Sequence, residues 1–192
     1  MGNPRKRRKG YATPPHPWNK ERIDEEKELI RSYGLKNKKE VWRATSLLRK
    51  FTSQAKKLTS STAEDRDVEI KQFLEKLKNI GLLEDSSQLE DVLTISTKDI
   101  LERRLQTLAY KKNVARSIKQ ARQFIVHRHV KIADKVVTTP GYIASKDQEN
   151  KITFSDLSSL NDIDHPERAK EEKKEPKPKE KKGNKKKEKA KK

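Results

Sequence analysis

The chain has 192 residues, 48 of them Lys or Arg against 29 Asp or Glu, for a formal net charge of +19 with only 30% apolar residues. There is room for one ordinary domain or two small ones around a small core, and the charge points to a polyanion partner, nucleic acid ahead of anionic membrane. The lack of cysteine excludes disulfides, thiolate metal sites and cysteine nucleophiles and fits a reducing cytoplasm, and no apolar run or leader suits a membrane span or signal peptide.

The first ten residues, "MGNPRKRRKG", hold five cations and no acid, and Arg5, Lys6, Arg7 and Arg8 form their densest run. Pro14, Pro15 and Pro17 then impose an extended path. Two readings of this segment stay open: a disordered tail, or an arm that orders against RNA phosphates. From Asn19 the chain turns helical, with Ile23, Ile30 and Tyr33 on one stripe and Gly34 as the stop. Asn37 with Glu40 predicts a capping-box start for a long second helix. Val41, Ala44, Leu48, Phe51, Ala55 and Leu58 line its buried face. Arg43, Lys50 and Lys57 recur every seven residues on another face, as either a solvated stripe or a phosphate-contacting one. Ser61 and Glu64 suggest the next cap, before a helix with Ile70, Phe73, Leu74, Leu77 and Ile80 that stops at Gly81. A weakly patterned connector runs from Leu82 to Thr94.

"STKDILERRLQTLAYKK" predicts a helix capped by Ser96 or Thr97, burying Ile100, Leu101, Leu105 and Leu108. After the break at "NVAR", Ser117 and Gln120 predict a capping box, and Ile118, Ala121 and Ile125 share the buried face of the helix it opens. Lys119, Gln120, Gln123 and His127 gather on the opposite flank, with Arg116 just before the start. Short strands are predicted at "VKI", "KVVT", "YIAS" and "KITF", with a turn at "TPGY" and a polar loop at "KDQEN". Between Arg103 and Ala133 there are nine Lys or Arg and no acid. A merely solvated face would mix signs to relieve its own repulsion, so this one implies an anionic ligand.

"LERRLQTLAYKKNVARSIKQARQFIVHRHVKI" followed by "TTPGYI" resembles the RNA-binding module first named for small-subunit ribosomal protein four, also called the alpha-L motif. With "YGLKNKKEVWR" upstream, the order of segments from about Pro15 to Phe154 is similar to the archaeal and eukaryotic branch of that ribosomal protein family. The resemblance implies a primary binder of small-subunit rRNA at a multi-helix junction of the 5′ domain, assisting assembly and translational accuracy. It also implies neighbouring small-subunit proteins, mRNA near its entry region, and a cytoplasmic place in the small subunit. It puts Arg103 and Arg104 against RNA, then Arg116, Ser117, Lys119, Gln120, Arg122 and Gln123, then His127, His129 and Lys131. Lys111, Lys112, Arg128 and Lys135 join them on charge. Guanidinium forks suit phosphate, while amides and hydroxyls suit 2′-OH groups and base edges. Arg104 or Arg122 could instead brace the fold through an acid such as Glu102. The family commonly has Gly where Arg128 stands, and Asn-Gly where Ala133-Asp134 stands, so a turn other than type I′ is expected there.

The expected fold is α+β: a mainly helical N-terminal part, then a module of two short helices and a small, largely antiparallel sheet. The expected divisions are a basic arm at 1–18, helices at 19–95, the RNA-binding module at 96–160 and a disordered Lys-rich tail at 161–192. From Pro166 on, that tail has 14 Lys or Arg against 6 Glu. Enzyme modules of this type sit on much larger catalytic domains, and the residues upstream show no phosphate loop or catalytic constellation, so no enzyme, metal, cofactor or homo-oligomer is expected. The rival reading is a non-ribosomal basic protein, an RNA chaperone or a chromatin component. His127 and His129 lack the further ligands that zinc would need, and read as donors toward RNA at the seam of helix and sheet.

Overall fold

A computed structural model describes residues 9–61, 65–162 and 165–168. The basic run Arg5, Lys6, Arg7 and Arg8, the cap position Glu64 and the Lys-rich stretch from 169 lie outside the described residues. Three helices form the N-terminal part: α1 (Lys20–Ser32), α2 (Lys38–Ser60) and α3 (Arg66–Ile80). A 3-10 turn at Glu90–Leu93 interrupts the connector. Then follow α4 (Thr97–Glu102), α5 (Leu105–Lys111), α6 (Ile118–Val126), β1 (Val130–Ile132), β2 (Lys135–Val136), α7 (Lys146–Glu149) and β3 (Ile152–Phe154).

Apolar spacing builds three connected cores. Phe51, Ala55 and Leu58 of α2 meet Phe73 and Leu77 of α3, and the connector closes over them with Leu83, Val92 and Ile95. Farther up α2, Val41 and Ala44 pack with Leu35 and with Ile100 and Leu101 of α4. The third core belongs to the module, where α5, α6 and the sheet share Leu105, Leu108, Phe124, Ile125, Val130 and Phe154. The sheet is antiparallel in the order β2-β1-β3. Its alternation buries Val130 and Ile132 and leaves Lys131 between them partly exposed, as a one-sided sheet requires.

Several elements depart from the expectations. The helix predicted from Ser96 through Lys112 breaks at Arg103–Arg104. Freed from the helix, this backbone pairs with the loop after the TPGY turn: Leu105 N–H donates to the Tyr142 carbonyl at 2.7 Å and Ala144 N–H to the Arg103 carbonyl at 3.2 Å. "YIAS" is therefore not a strand; it makes one isolated bridge, Ile143 to Arg104. The polar "KDQEN" is not a loop but α7, because Ser145 and Gln148 complete a capping box there. Asn37 caps α2 without a side-chain hydrogen bond; the Glu40 N–H donates to the Asn37 carbonyl at 3.1 Å, and the Glu40 carboxylate, which would return the second half of the box, is taken by two arginines. At the start of α6, Ser117 Oγ accepts from Gln120 N–H at 3.2 Å, but the Gln120 amide oxygen accepts from Arg116 N–H at 2.8 Å, one residue earlier than a full box.

Four helices end in one way, with an N–H just beyond the helix end reaching back five residues: Leu35 to Ile30, Leu82 to Leu77, Val114 to Ala109 and His129 to Phe124. This ending needs a left-handed residue just before that N–H. Gly34, Gly81, Asn113 and Arg128 occupy those places, Arg128 at φ 68°. Gly34 is further constrained, because a Cβ there would lie 3.0 Å from the Ile118 side chain. Arg128 carries a steric cost that glycine would not. We predict that Arg128→Gly raises the unfolding free energy by about 1 kcal/mol, measured as a rightward shift of the urea midpoint at unchanged slope. In the β1–β2 turn only Ala133 takes positive φ, 51°; type I′ needs it at both central residues, so the turn is indeed of another type.

Candidate nucleic-acid interface

The cations expected to face RNA separate into two groups in the folded chain. Arg104 is buried, and its guanidinium donates to Glu40 Oε2 at 2.7 Å. Arg122, half-buried, forks onto the same carboxylate, 2.6 Å to Oε1 and 3.1 Å to Oε2. The brace foreseen for these two arginines exists, but its acid is Glu40 from α2 and not Glu102, which pairs with Lys111 at 3.0 Å. Burial alone would push the Glu40 carboxyl up, but hydrogen bonds from Arg122 and Arg104, with their charges, outweigh it and hold the group below its ordinary value. The network extends through Gln106, whose side chain is buried. Its oxygen accepts from Arg122 at 3.3 Å, and its NH2 donates to the carbonyls of Gly34 and Ile118 at 3.1 and 3.0 Å. A single acid on α2 thus ties the N-terminal helices to α5 and α6.

Other members of the predicted set are also engaged within the protein. Arg103 pairs with Glu149 of α7 at 2.8 Å. Lys131 lies 2.6 and 2.7 Å from the two oxygens of Asp156. Lys112 reaches the Asn150 side chain at 3.4 Å. His129 is half-buried, its Nδ1 sharing a 2.8 Å hydrogen bond with the Ser158 hydroxyl and its ring edge-on to Phe124. Its ring lies 6.4 Å from that of His127, which remains exposed. Among the described residues no cluster of three or more His, Cys, Asp or Glu is placed to hold a metal ion.

The exposed remainder forms the candidate interface. Around α6 it comprises Arg116, Ser117, Lys119, Gln123, His127 and Arg128, with Lys135 on β2 and Gln120 half-buried among them. Arg116 donates to the Pro166 carbonyl and, at 3.1 and 3.2 Å, to that of Arg168, so the chain leaves the described structure beside this helix start. Arg168 itself lies 5.4 Å over the Phe154 ring, a cation–π contact that holds the crossing. Along α2, Arg43, Lys50 and Lys57 are exposed, joined by Arg49 and Lys56, which the seven-residue repeat missed. Among the described residues none of these five makes an ion pair, and no acid follows Glu40 before Ser61. Glu40 is the lone acid in that basic run, a signal in the sequence that it serves a specific partner. Gln106, set among apolar neighbours, carried no such signal.

Residues 103–150 match the S4 domain family, a span that opens at the helix break and closes after α7. Over 171 residues the chain is 47% identical to the small ribosomal subunit protein uS4 of Picrophilus torridus, covering 88% of this chain and 93% of that relative. It is also 47% identical to uS4 of Methanothermobacter thermautotrophicus over 160 residues, 83% of this chain and 94% of the relative. With uS4 of Nanoarchaeum equitans it shares 45% identity over 173 residues, 89% and 96% of the two chains. These matches cover more than four-fifths of the chain at 45–47% identity, and the chain belongs to the family of small ribosomal subunit protein uS4.

Proposed function

We infer that this protein is a structural, non-enzymatic component of the small ribosomal subunit, where it binds small-subunit rRNA in the cytoplasm. The observation that carries this reading is the exposed cationic surface along α2 and around α6, left without internal acids while the buried arginines are matched. Phosphates supply the missing counter-charges, and release of their condensed ions drives binding. Gln120, Gln123 and Ser117 add hydrogen-bonding groups suited to sugar 2′-OH and base edges. The family resemblance narrows the target to a multi-helix junction of the 5′ domain, bound early in assembly, with neighbouring proteins and the mRNA entry region nearby. Rigid helices on both sides of the Glu40 joint would hold separate RNA helices at a set angle, a role of shape and charge without chemistry.

The test is a titration of the full chain against purified small-subunit rRNA across a salt series. Lys119→Ala removes one exposed cation and is expected to flatten the log K against log salt slope by about one unit. An unchanged slope would remove Lys119 from the phosphate contacts. Failure of the wild-type chain to protect any site on that rRNA from chemical probing would overturn the reading itself.

A further inference from the structure

Between α2 and the module lies a cleft of about 430 Å³, and its lining mixes two kinds of side chain. The cations are Arg43 and Lys50 from α2 and Arg104 and Arg122 from the module, with Glu40 the sole acid among the described lining residues. Glu40 is already shared by Arg104 and Arg122, so the cleft keeps a surplus of positive charge. Arg43 and Lys50 are exposed and without an ion-pair partner among the described residues. Arg104 adds to the field more than to contact. It is buried, and its Nε finds no hydrogen-bond acceptor. Set among the cations are apolar side chains, Leu47 between Arg43 and Lys50 on one face of α2, and Ile100, Pro140 and Ile143. Gly141 keeps the turn close against this joint, since a Cβ there would stand 3.2 Å from the Arg104 guanidinium.

A plain phosphate site would not need the apolar side chains, and an apolar ligand site would not need the cations. The geometry points to a site for one unstacked nucleotide of the bound RNA, its phosphate on Arg43 and Lys50 and its base laid on Pro140, Ile143 and Leu47. A nucleotide pulled from a stack exposes a flat apolar face beside a charged phosphate, and proteins hold such bases between apolar side chains. A cleft of this volume is within the range of small-molecule sites and far too narrow for a duplex. The inference rests on the rRNA-binding reading and refines it: the joint between the two parts reads a bulged or looped residue, so that docking senses the folded junction and not duplex alone.

The test has two arms. In the first, adenosine 5′-monophosphate, adenosine and inorganic phosphate are titrated separately into the full chain, with backbone amide shifts followed by NMR. The expected result is saturable movement of Gly141 and Lys50, with the nucleotide saturating at a lower concentration than either fragment. Equal saturation by inorganic phosphate, or no saturation by the nucleotide, would overturn the assignment. In the second arm, Thr139→Trp fills the cleft from its exposed rim and Lys50→Glu reverses one of its cations. Each is expected to weaken rRNA binding at least about tenfold, or roughly 1.4 kcal/mol, with unchanged circular dichroism; because Lys50 also belongs to the exposed stripe of α2, Lys50→Glu decides the matter, if Thr139→Trp misfolds, by losing the saturable Gly141 shift with adenosine 5′-monophosphate, and an unchanged shift overturns the site. Wild-type affinity in the variants overturns the nucleotide site alone, whereas loss of rRNA binding by the wild-type chain would overturn the underlying function.

Discussion

Glu40→Gln is expected to lower the unfolding free energy by about 3 kcal/mol, because breaking a buried pair leaves its cations desolvated and unmatched. The substitution keeps the shape and removes the charge that Arg104 and Arg122 share at 2.7 and 2.6 Å. Arg122 is partly exposed and can turn to water; Arg104 is buried and cannot. The same pair makes a pH-dependent contribution whose sign follows from the lowered carboxyl. In the unfolded chain the group titrates at its ordinary value, and in the folded chain below it. Its stabilisation is therefore complete above the unfolded value and is lost as pH falls through the folded one. Urea denaturation of both proteins between pH 3 and 7 checks this: the gap should be widest at neutral pH and should close in acid. A constant gap would mean that the carboxylate's charge is not what holds the joint.

The second large effect is expected on RNA affinity. Simultaneous replacement of Arg49, Lys50 and Lys57 by Ala removes three exposed cations that have no partner within the described structure. The salt slope for rRNA binding should fall by about three units. The dissociation constant should rise on the order of 10- to 100-fold, up to about 1 kcal/mol per screened contact. These residues lie outside the apolar face of α2, so the melting temperature should stay close to wild type. By contrast, Arg104→Ala should act first on stability, because its charge is turned inward. Comparing the two variants by salt slope and by denaturation separates a cation that binds RNA from one that assembles the protein.

That separation marks how far the sequence could be read. Periodicity was enough for α1, α2 and α3, for the buried stripes of α5 and α6, and for the strands at 130 and 152, because each of these patterns is local and repeats with the geometry of its element. The glycine stops at Gly34 and Gly81 and the Ser117 cap were legible for the same reason. The acid-free run from Arg103 to Ala133 pointed to an anionic ligand, with Arg104 or Arg122 left open as a brace, and here local pattern stopped being informative. Its acids come from elsewhere in the chain: Glu40 lies 64 residues before Arg104 and 82 before Arg122, Glu149 lies 46 residues after Arg103, and Asp156 lies 25 after Lys131.

The sequence by itself determined the N-terminal helices, the α+β class, the cationic character and, through its motifs, the family. Only the tertiary structure decided where the helix breaks at Arg103–Arg104, that "KDQEN" forms α7, and which cations remain available to a ligand. The physical reason is the same in each case. A helix break gains its replacement hydrogen bonds from Tyr142 and Ala144, and an arginine is neutralised by whichever carboxylate folding brings to it. Neither partner is near in sequence, so the histidines, lysines and arginines of one basic segment could be sorted into braces and contacts only after the chain had closed around Glu40.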